Sequence, residues 1–573
     1  MLSPKKRLVY VCIGSAIVTT IARILNATDI SFDFPSQIQA AQHLLAGKGL
    51  TIYAWAVEGD LAGRARLLAM AHFPAGYSLC AAALIAMGFS IAAIVKTLGA
   101  VATILGWWGW AELGFCFLGD GLKRGVVWRW AGYAIVFALP LISTPPWQGT
   151  EIFLWAAVPW VLRWVVKGPN EGTSSRRIDL AAGALCGISV LMNYAAVFLT
   201  LYALLLILSQ TGKGFKSLGT RVLAFVIGLS PFLALQIYIN HFTSETESIA
   251  GSLTVAGGIP RVIERFGQGL ALLTSANNAI AWWMPHQLLK WLTAPSRPLL
   301  IAATLVAFLL LPKIVATKFG HRGLLTAASD VRVAAAGFFA LLPLFLWGWT
   351  GFADYLFVAD LKYYIPLLSL AVFIGYALAL PGDERESKPQ LLLRRIAAVY
   401  TTGFICISGL WVLLLVVPGA AGSGKRVKLM GTTQFDHWPS MKLAYEFSAA
   451  RTYTMELLRQ QPDTVVVTNH EEWFYADPSV DRSRITRLKD FRATQIDGPA
   501  HLLIVAEDFA GGPVEEVSWY THYGKMLRAD FFQQVPDLRL QKRFPEENVK
   551  ILEAWIPAGK RIPLNKRTRE KLE

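Results

Sequence analysis

Apolar segments of near-bilayer length recur along the first 418 residues, about eleven in all, and a chain built this way has few folds open to it. They lie near 8–26, 91–117, 131–144, 150–166, 179–193, 195–209, 221–240, 298–311, 333–349, 363–380 and 396–417. A helix needs about 20 apolar residues to cross the hydrocarbon core. Only helices and closed barrels satisfy their own backbone polar groups there. Runs near 14–15 residues, such as 131–144, fall short of a full crossing, so their ends are drawn loosely. The composition agrees: 54% of residues are apolar and 16% charged, against about 25% charged in a soluble domain.

Charge gives the segments a direction. The net charge is +15, of which +13 falls in residues 1–418 and only +2 in 419–573. Basicity that belongs to the apolar part argues for loops beside a membrane and against a nucleic-acid partner. With the N-terminus in the cytoplasm, the inner segments are 1–7, 118–130, 163–178, 210–222, 312–332 and 381–395, and they hold 21 Lys and Arg. The outer loops 27–90, 145–149, 241–297 and 350–362 are longer in total yet hold eight. Lys5, Lys6 and Arg7 followed by an apolar run resemble a signal peptide. The run is too long and lacks a small-residue cleavage site, so it reads as a retained first span. An odd number of spans puts the tail outside. The expectation is a mostly α, polytopic protein of the cell membrane, of the bacterial inner-membrane kind. It has a multi-span domain over 1–418 and a small extracytoplasmic α/β domain over 419–573.

All five cysteines lie in apolar stretches and no CxxC occurs, which supports neither a disulfide framework nor a zinc site. In the tail, 438–461 reads as a helix, and 463–469, 501–506 and 549–555 read as strands. His470, Glu471 and Glu472 at a strand end invite a metal reading, but acidic residues in the first turn of a helix explain them better.

The outer loop 27–90 is the most informative stretch. Asp29 and Asp33 lie just past the first span. A helical pattern over 35–46, with Ile38, Ala41, Leu44 and Leu45 on one face, is closed by Gly47. Tyr53 follows, then His72, Pro74, Gly76 and Tyr77 lead into an apolar segment at 74–88 that is too short to cross. Both segments read as helices lying along the outer membrane surface.

This arrangement resembles the first extracytoplasmic loop of the GT-C glycosyltransferases. There an Asp precedes an Ala/Leu-rich helix ending in Gly, then a Tyr and a Pro-rich entry to a second juxtamembrane helix. Glu151, opening a span after a short outer loop, and Lys362, Tyr363, Tyr364 and Pro366, before a late span, extend the resemblance over roughly 8–380. The 14 residues from Asp33 to Gly47 match the branch of dolichyl-phosphate-mannose mannosyltransferases, and the aminoarabinose transferases are similar. Phe34 stands where many members have a second acidic residue, His72 where some have Lys, and Lys362 where Arg is usual.

The resemblance implies transfer of a sugar from a polyprenyl-phosphate donor, held in the lipid bilayer, to a glycan, lipid or protein acceptor at the outer face. A carboxylate would take the acceptor's proton and cations would stabilise the departing phosphate. On that reading Asp33 is the first candidate base and Asp29 the second. His72, Glu151, Arg261, Arg265, Lys362 and Tyr363 are the candidate substrate-binding residues. No cofactor is required by these residues, no metal ligands are assigned, and a divalent cation stays an open alternative. Each residue also has a plainer role. Asp33 could cap a helix, Glu151 could complement a helix dipole, and Arg23 could snorkel to headgroups. Lys362 could anchor at the interface, while His72, Arg261 and Arg265 could simply be solvated. The other functional classes are a transporter or flippase of a lipid-linked substrate and a non-catalytic assembly subunit. Spans with little charge in their centres weigh against transport.

Overall fold

The computed structural model describes residues 2–26, 33–53, 67–70, 73–143, 150–167, 175–209, 215–241, 311–318, 330–350, 365–381, 388–416, 449–468, 484–487, 495–497, 499–508, 518–520, 526–528, 535, 537–545 and 549–563. The apolar part folds as helices α1 (Pro4–Asn26), α2 (Asp33–Leu45), α3 (Gly76–Ala86), α4 (Ile91–Lys123), α5 (Val126–Ser143) and α6 (Glu151–Lys167). After them come α7 (Ser175–Met192), α8 (Ala196–Ser209), α9 (Phe215–His241), α10 (Val331–Thr350), α11 (Ile365–Ala379) and α12 (Lys388–Val416). Every predicted apolar segment outside 298–311 coincides with one of these helices; 298–310 lies outside the described residues. The helices overrun the apolar runs because polar and basic flanks continue them. Ser175, Arg176 and Arg177 open α7, and Lys388 to Arg395 open α12. The short segments at 131–144 and 179–193 thereby become 18-residue helices.

By length and composition, two helices among the described residues can cross a bilayer, Ala93–Lys123 within α4 and Ser217–Ile239 within α9. The outward side chains are apolar elsewhere too. On α8, Val197, Leu201, Leu205 and Leu208 form an exposed stripe at helical spacing. On α1 the exposed set includes Tyr10, Val18 and Ile21. Contiguous apolar surface of this kind marks a face made to be covered.

Two ends of the bundle differ in chemistry. At one, Glu112 of α4 forms ion pairs with Lys5 at 2.8 Å and Arg163 at 2.9 Å. Arg221 of α9 grips Asp179 of α7 with two bonds of 2.8 Å and reaches the carbonyl of Val165 at 3.0 Å. Arg124 donates to Pro381 O at 2.7 Å, and Lys318 to Leu378 O and Leu380 O at 2.9 Å each. These contacts gather the start of α1, the ends of α4, α6 and α11 and the starts of α7 and α9. The basic segments read as inner thus meet at one end. Glu112 lies in the C-terminal half of α4, toward the basic end, and is paired there with Lys5 and Arg163.

Close backbone approach binds α7 to α9. A Cβ on Gly183 would strike the carbonyl of Phe225, and one on Gly228 the carbonyl of Leu180. Small residues let helices touch where no hydrophobic drive separates lipid from protein.

The tail contains α13 (Ala449–Gln460) and strands β3 (Thr464–Thr468), β4 (Ile485–Arg487), β5 (Gln495–Asp497), β6 (Ala500–Glu507), β7 (Ser518–Tyr520), β8 (Met526–Arg528), β9 (Arg539–Phe544), β10 (Val549–Ile556) and β11 (Arg561–Pro563); β1 and β2 belong to the hairpin described below. Its main sheet has the order β4-β3-β6-β10-β9, with β3 parallel to β4 and β6 and β10 antiparallel to β6 and β9. The three strands read from sequence are the three central ones, where continuous apolar runs are buried. The predicted helix keeps its second half, since 438–448 lie outside the described residues. Met455 and Leu458 of α13 pack on Val466, Leu503 and Ile551, in a buried cluster that also takes in Ile38, Tyr77 and Ile94 from α2, α3 and α4.

Candidate functional site

The site lies at the end of the bundle away from the paired basic residues. α2 begins at Asp33 and closes on a turn with Gly47 at φ 74° and Gly49 at φ 71°, a left-handed backbone suited to glycine. The chain then forms an antiparallel hairpin of β1 (Thr51–Tyr53) and β2 (Leu67–Ala69), which returns to α3. Ala40 of α2, Leu50 and Met70 beside the hairpin and Ala75 before α3 share a small buried cluster, with Ile239 at the end of α9 packed on it.

The start of α3 is fixed from three sides. The Ala75 amide donates to Gln236 Oε1 at 3.0 Å, and Gln236 Nε2 donates to the Tyr194 hydroxyl at 3.3 Å. A Cβ on Gly76 would come within 2.6 Å of Leu191 O, so only glycine lets α3 sit against the end of α7. The Tyr77 ring meets Phe153 edge-on at 6.3 Å, in the first turn of α6. Beside it, Asn193 in the α7–α8 corner donates to Thr150 Oγ1 at 3.1 Å and accepts from the Ala195 amide at 2.9 Å. Glu151 follows Thr150 and is 6% exposed. Glu151 is the first residue of α6, so its carboxylate stands at the positive end of that helix.

The structure corrects the reading of α2 as a helix with one buried face. Gln37, Ile38, Gln39, Ala40, Ala41 and His43 are all buried, so both the polar and apolar sides are covered. The hairpin, α3 and the end of α9 supply that cover. His43 Nδ1 lies 2.9 Å from Thr51 O and 3.1 Å from Thr51 Oγ1, which ties α2 to β1. Gln37, Gln39, His43, Thr150, Asn193 and Gln236 are the polar members that periodicity missed. On α2 the one signal is the density of amide side chains in an otherwise Ala/Leu-rich helix; Thr150, Asn193 and Gln236, outside α2, carry no such signal.

Among the candidate residues, the structure sets Glu151 at the first position of α6, two residues before the Phe153 that meets Tyr77 of α3, and Asp33 at the first position of α2. Asp29, His72, Arg261, Arg265, Lys362 and Tyr363 lie outside the described residues, as do Glu58, Asp60 and the stretch from His470 to Glu472. No group of three or more His, Cys, Asp or Glu suited to a metal ion occurs among the described residues.

Fold and site together define a class: a many-helix apolar bundle with a polar layer buried at one end and a mixed α/β unit appended. No protein-family model and no curated protein matches the chain. Three solved structures align with it at low identity. ArnT from Cupriavidus metallidurans in the apo state is 12% identical over 96% of this chain and 98% of that one, with a TM-score of 0.42. The archaeal oligosaccharyltransferase AglB from Archaeoglobus fulgidus, in complex with an inhibitory peptide and a dolichol-phosphate, is 11% identical over 92% of this chain and 75% of that one, at 0.41. The arabinofuranosyltransferase AftD from Mycobacteria is 12% identical over 97% of this chain and 40% of that one, at 0.40.

Proposed function

We propose that the protein is an integral-membrane glycosyltransferase. It moves a sugar from a polyprenyl-phosphate donor to an acceptor at the outer face of the membrane. One observation carries the reading. The two helices of the first outer loop form where the loop pattern predicts them, and they pack together with Gln37, Gln39 and His43 buried, at the end of the bundle opposite the basic one, where α6 also begins at Glu151. A donor with its chain in lipid and its phosphate at the interface needs a polar pocket at that depth, walled from water. Asp33 is the general base, Asp29 its alternate, and Glu151 orients the acceptor or donor sugar. His72, Arg261, Arg265, Lys362 and Tyr363 supply contacts to the phosphate and its sugar. The transport reading is weakened by the pairing of Glu112 with Lys5 and Arg163 and of Asp179 with Arg221, since each buried carboxylate described there has a cation and does not line a path.

The test is chemical. Purified protein in liposomes, given a radiolabelled polyprenyl-phosphate sugar, should release polyprenyl phosphate with label passing to acceptor or water. Movement of intact donor between leaflets without cleavage would favour the transporter instead.

The orientation has its own expected result. Reporter fusions at Gly320 and Gly424 should give opposite signals, cytoplasmic for the first and extracytoplasmic for the second. Equal signals would overturn the charge argument, because the inner segments carry most of the basic residues.

A further inference from the structure

β10 is buried along its length except at Trp555, which is 54% exposed. An indole left open on a strand otherwise packed on both sides is held there by its neighbours. His501, its direct cross-strand partner on β6, stacks on it with ring centroids 4.8 Å apart and planes 26° from parallel. One face of the indole is therefore covered and the other turns to solvent. His501 is itself fixed: Nδ1 lies 3.1 Å from the Thr464 hydroxyl and Nε2 3.4 Å from Glu553 Oε2. Burial holds its pKa below the ordinary value, against the pull of the Glu553 carboxylate, so the ring under the indole is neutral.

Two residues before Trp555, on the same face of the strand, Glu553 receives Arg539 of β9 through Nε at 2.8 Å and Nη2 at 2.6 Å. The Arg539 side chain is 73% exposed, and its Nη1 makes no hydrogen bond among the described residues. The surface thus offers a flat aromatic face and guanidinium donors at its rim, with the Arg539 charge offset by Glu553.

We propose that this surface binds a saccharide ring, which stacks on the open face of Trp555 and hydrogen-bonds through its hydroxyls to Arg539. The negative face of an indole attracts the C–H bonds on one side of a pyranose or furanose, and Nη1 donates to hydroxyl oxygens beside it. An apolar peptide would call for a groove. The inference goes beyond the transfer reading and stands without it, since binding is read without turnover.

The full chain, in nanodiscs free of glycosidic detergent, would be screened by saturation-transfer NMR. The probes are glucose, mannose, galactose, arabinose and their disaccharides at millimolar concentration. At least one should receive saturation at its ring protons. Trp555→Ala should weaken that sugar by roughly tenfold or more, as truncation of a central Trp does at other interfaces. Trp555→Phe should keep part of the signal, and Arg539→Ala should weaken it with the domain still folded. Absence of any transfer that depends on Trp555 and Arg539 overturns the proposal. So does a lipid-anchoring role, read by comparing the fluorescence of wild type and Trp555→Phe in brominated-lipid nanodiscs. Quenching of the Trp555 component would show the indole in lipid, while its insensitivity to bromine is the result expected here.

Discussion

Asp33→Asn is expected to slow sugar transfer by about 10²–10⁴-fold, the usual contribution of a positioned general base, with the protein still inserted and folded. The amide keeps the size of the carboxylate and much of its hydrogen bonding, yet it cannot accept the proton of an attacking hydroxyl. Asp33 is chosen because it opens α2, the helix whose far end is tied to the hairpin and whose flank is shared with α3. Asp29→Asn is the companion measurement, since two carboxylates four residues apart can exchange the role. Steady-state transfer from a polyprenyl-phosphate sugar, with donor binding measured separately, distinguishes loss of the base from loss of the substrate. Near-normal turnover in the double variant would sink the assignment and direct attention to Glu58, Asp60 and Glu151.

How far these residues could be read without a structure depends on what fixes each one. The long helices were legible because burial in an apolar medium leaves a run in the sequence, and the run survives whichever neighbour covers it. Their ends were not, because Arg176, Arg177, Arg394 and Arg395 continue helices past the apolar stretch into the polar boundary. The gathering of basic segments at one end was legible from loop charge alone. The pairs inside it were not: nothing near Glu112 in sequence announces Lys5 or Arg163, which arrive from other helices. On α2 the period put Ile38, Ala41, Leu44 and Leu45 on one face, of which Ile38 and Ala41 are buried and Leu45 is exposed, and it gave no sign that Gln37 and His43 are buried. Their burial comes from the β1–β2 hairpin, two three-residue strands too short to show a pattern of their own. In the tail, β3, β6 and β10 were read from continuous apolar runs. β9 was missed because an exposed edge strand of the composition Arg-Leu-Gln-Lys-Arg-Phe carries no apolar alternation to find.

The second large effect concerns how the bundle is held. Asp179 and Arg221 are 1% and 3% exposed, and their two parallel hydrogen bonds form the fork geometry that a guanidinium and a carboxylate share. The third donor contact, from Arg221 to Val165 O, joins α6 to the α7–α9 pair. Asp179→Asn leaves the guanidinium buried without its counter-charge, a change expected to cost about 3–5 kcal/mol of stability. The matched replacement Asp179→Leu with Arg221→Met removes both charges and fills similar volume. It should recover most of that loss, because replacing a buried pair by apolar groups is often neutral or stabilising. Unfolding midpoints in detergent micelles, followed by helical circular dichroism, would compare the three proteins. The single variant should unfold well before the wild type and the double variant close to it. If Asp179→Asn unfolds with the wild type, the pair is solvated in the native bundle and does not hold α7 to α9. The junction would then rest on the Gly183 and Gly228 contacts alone, where backbone meets backbone and no charge is involved.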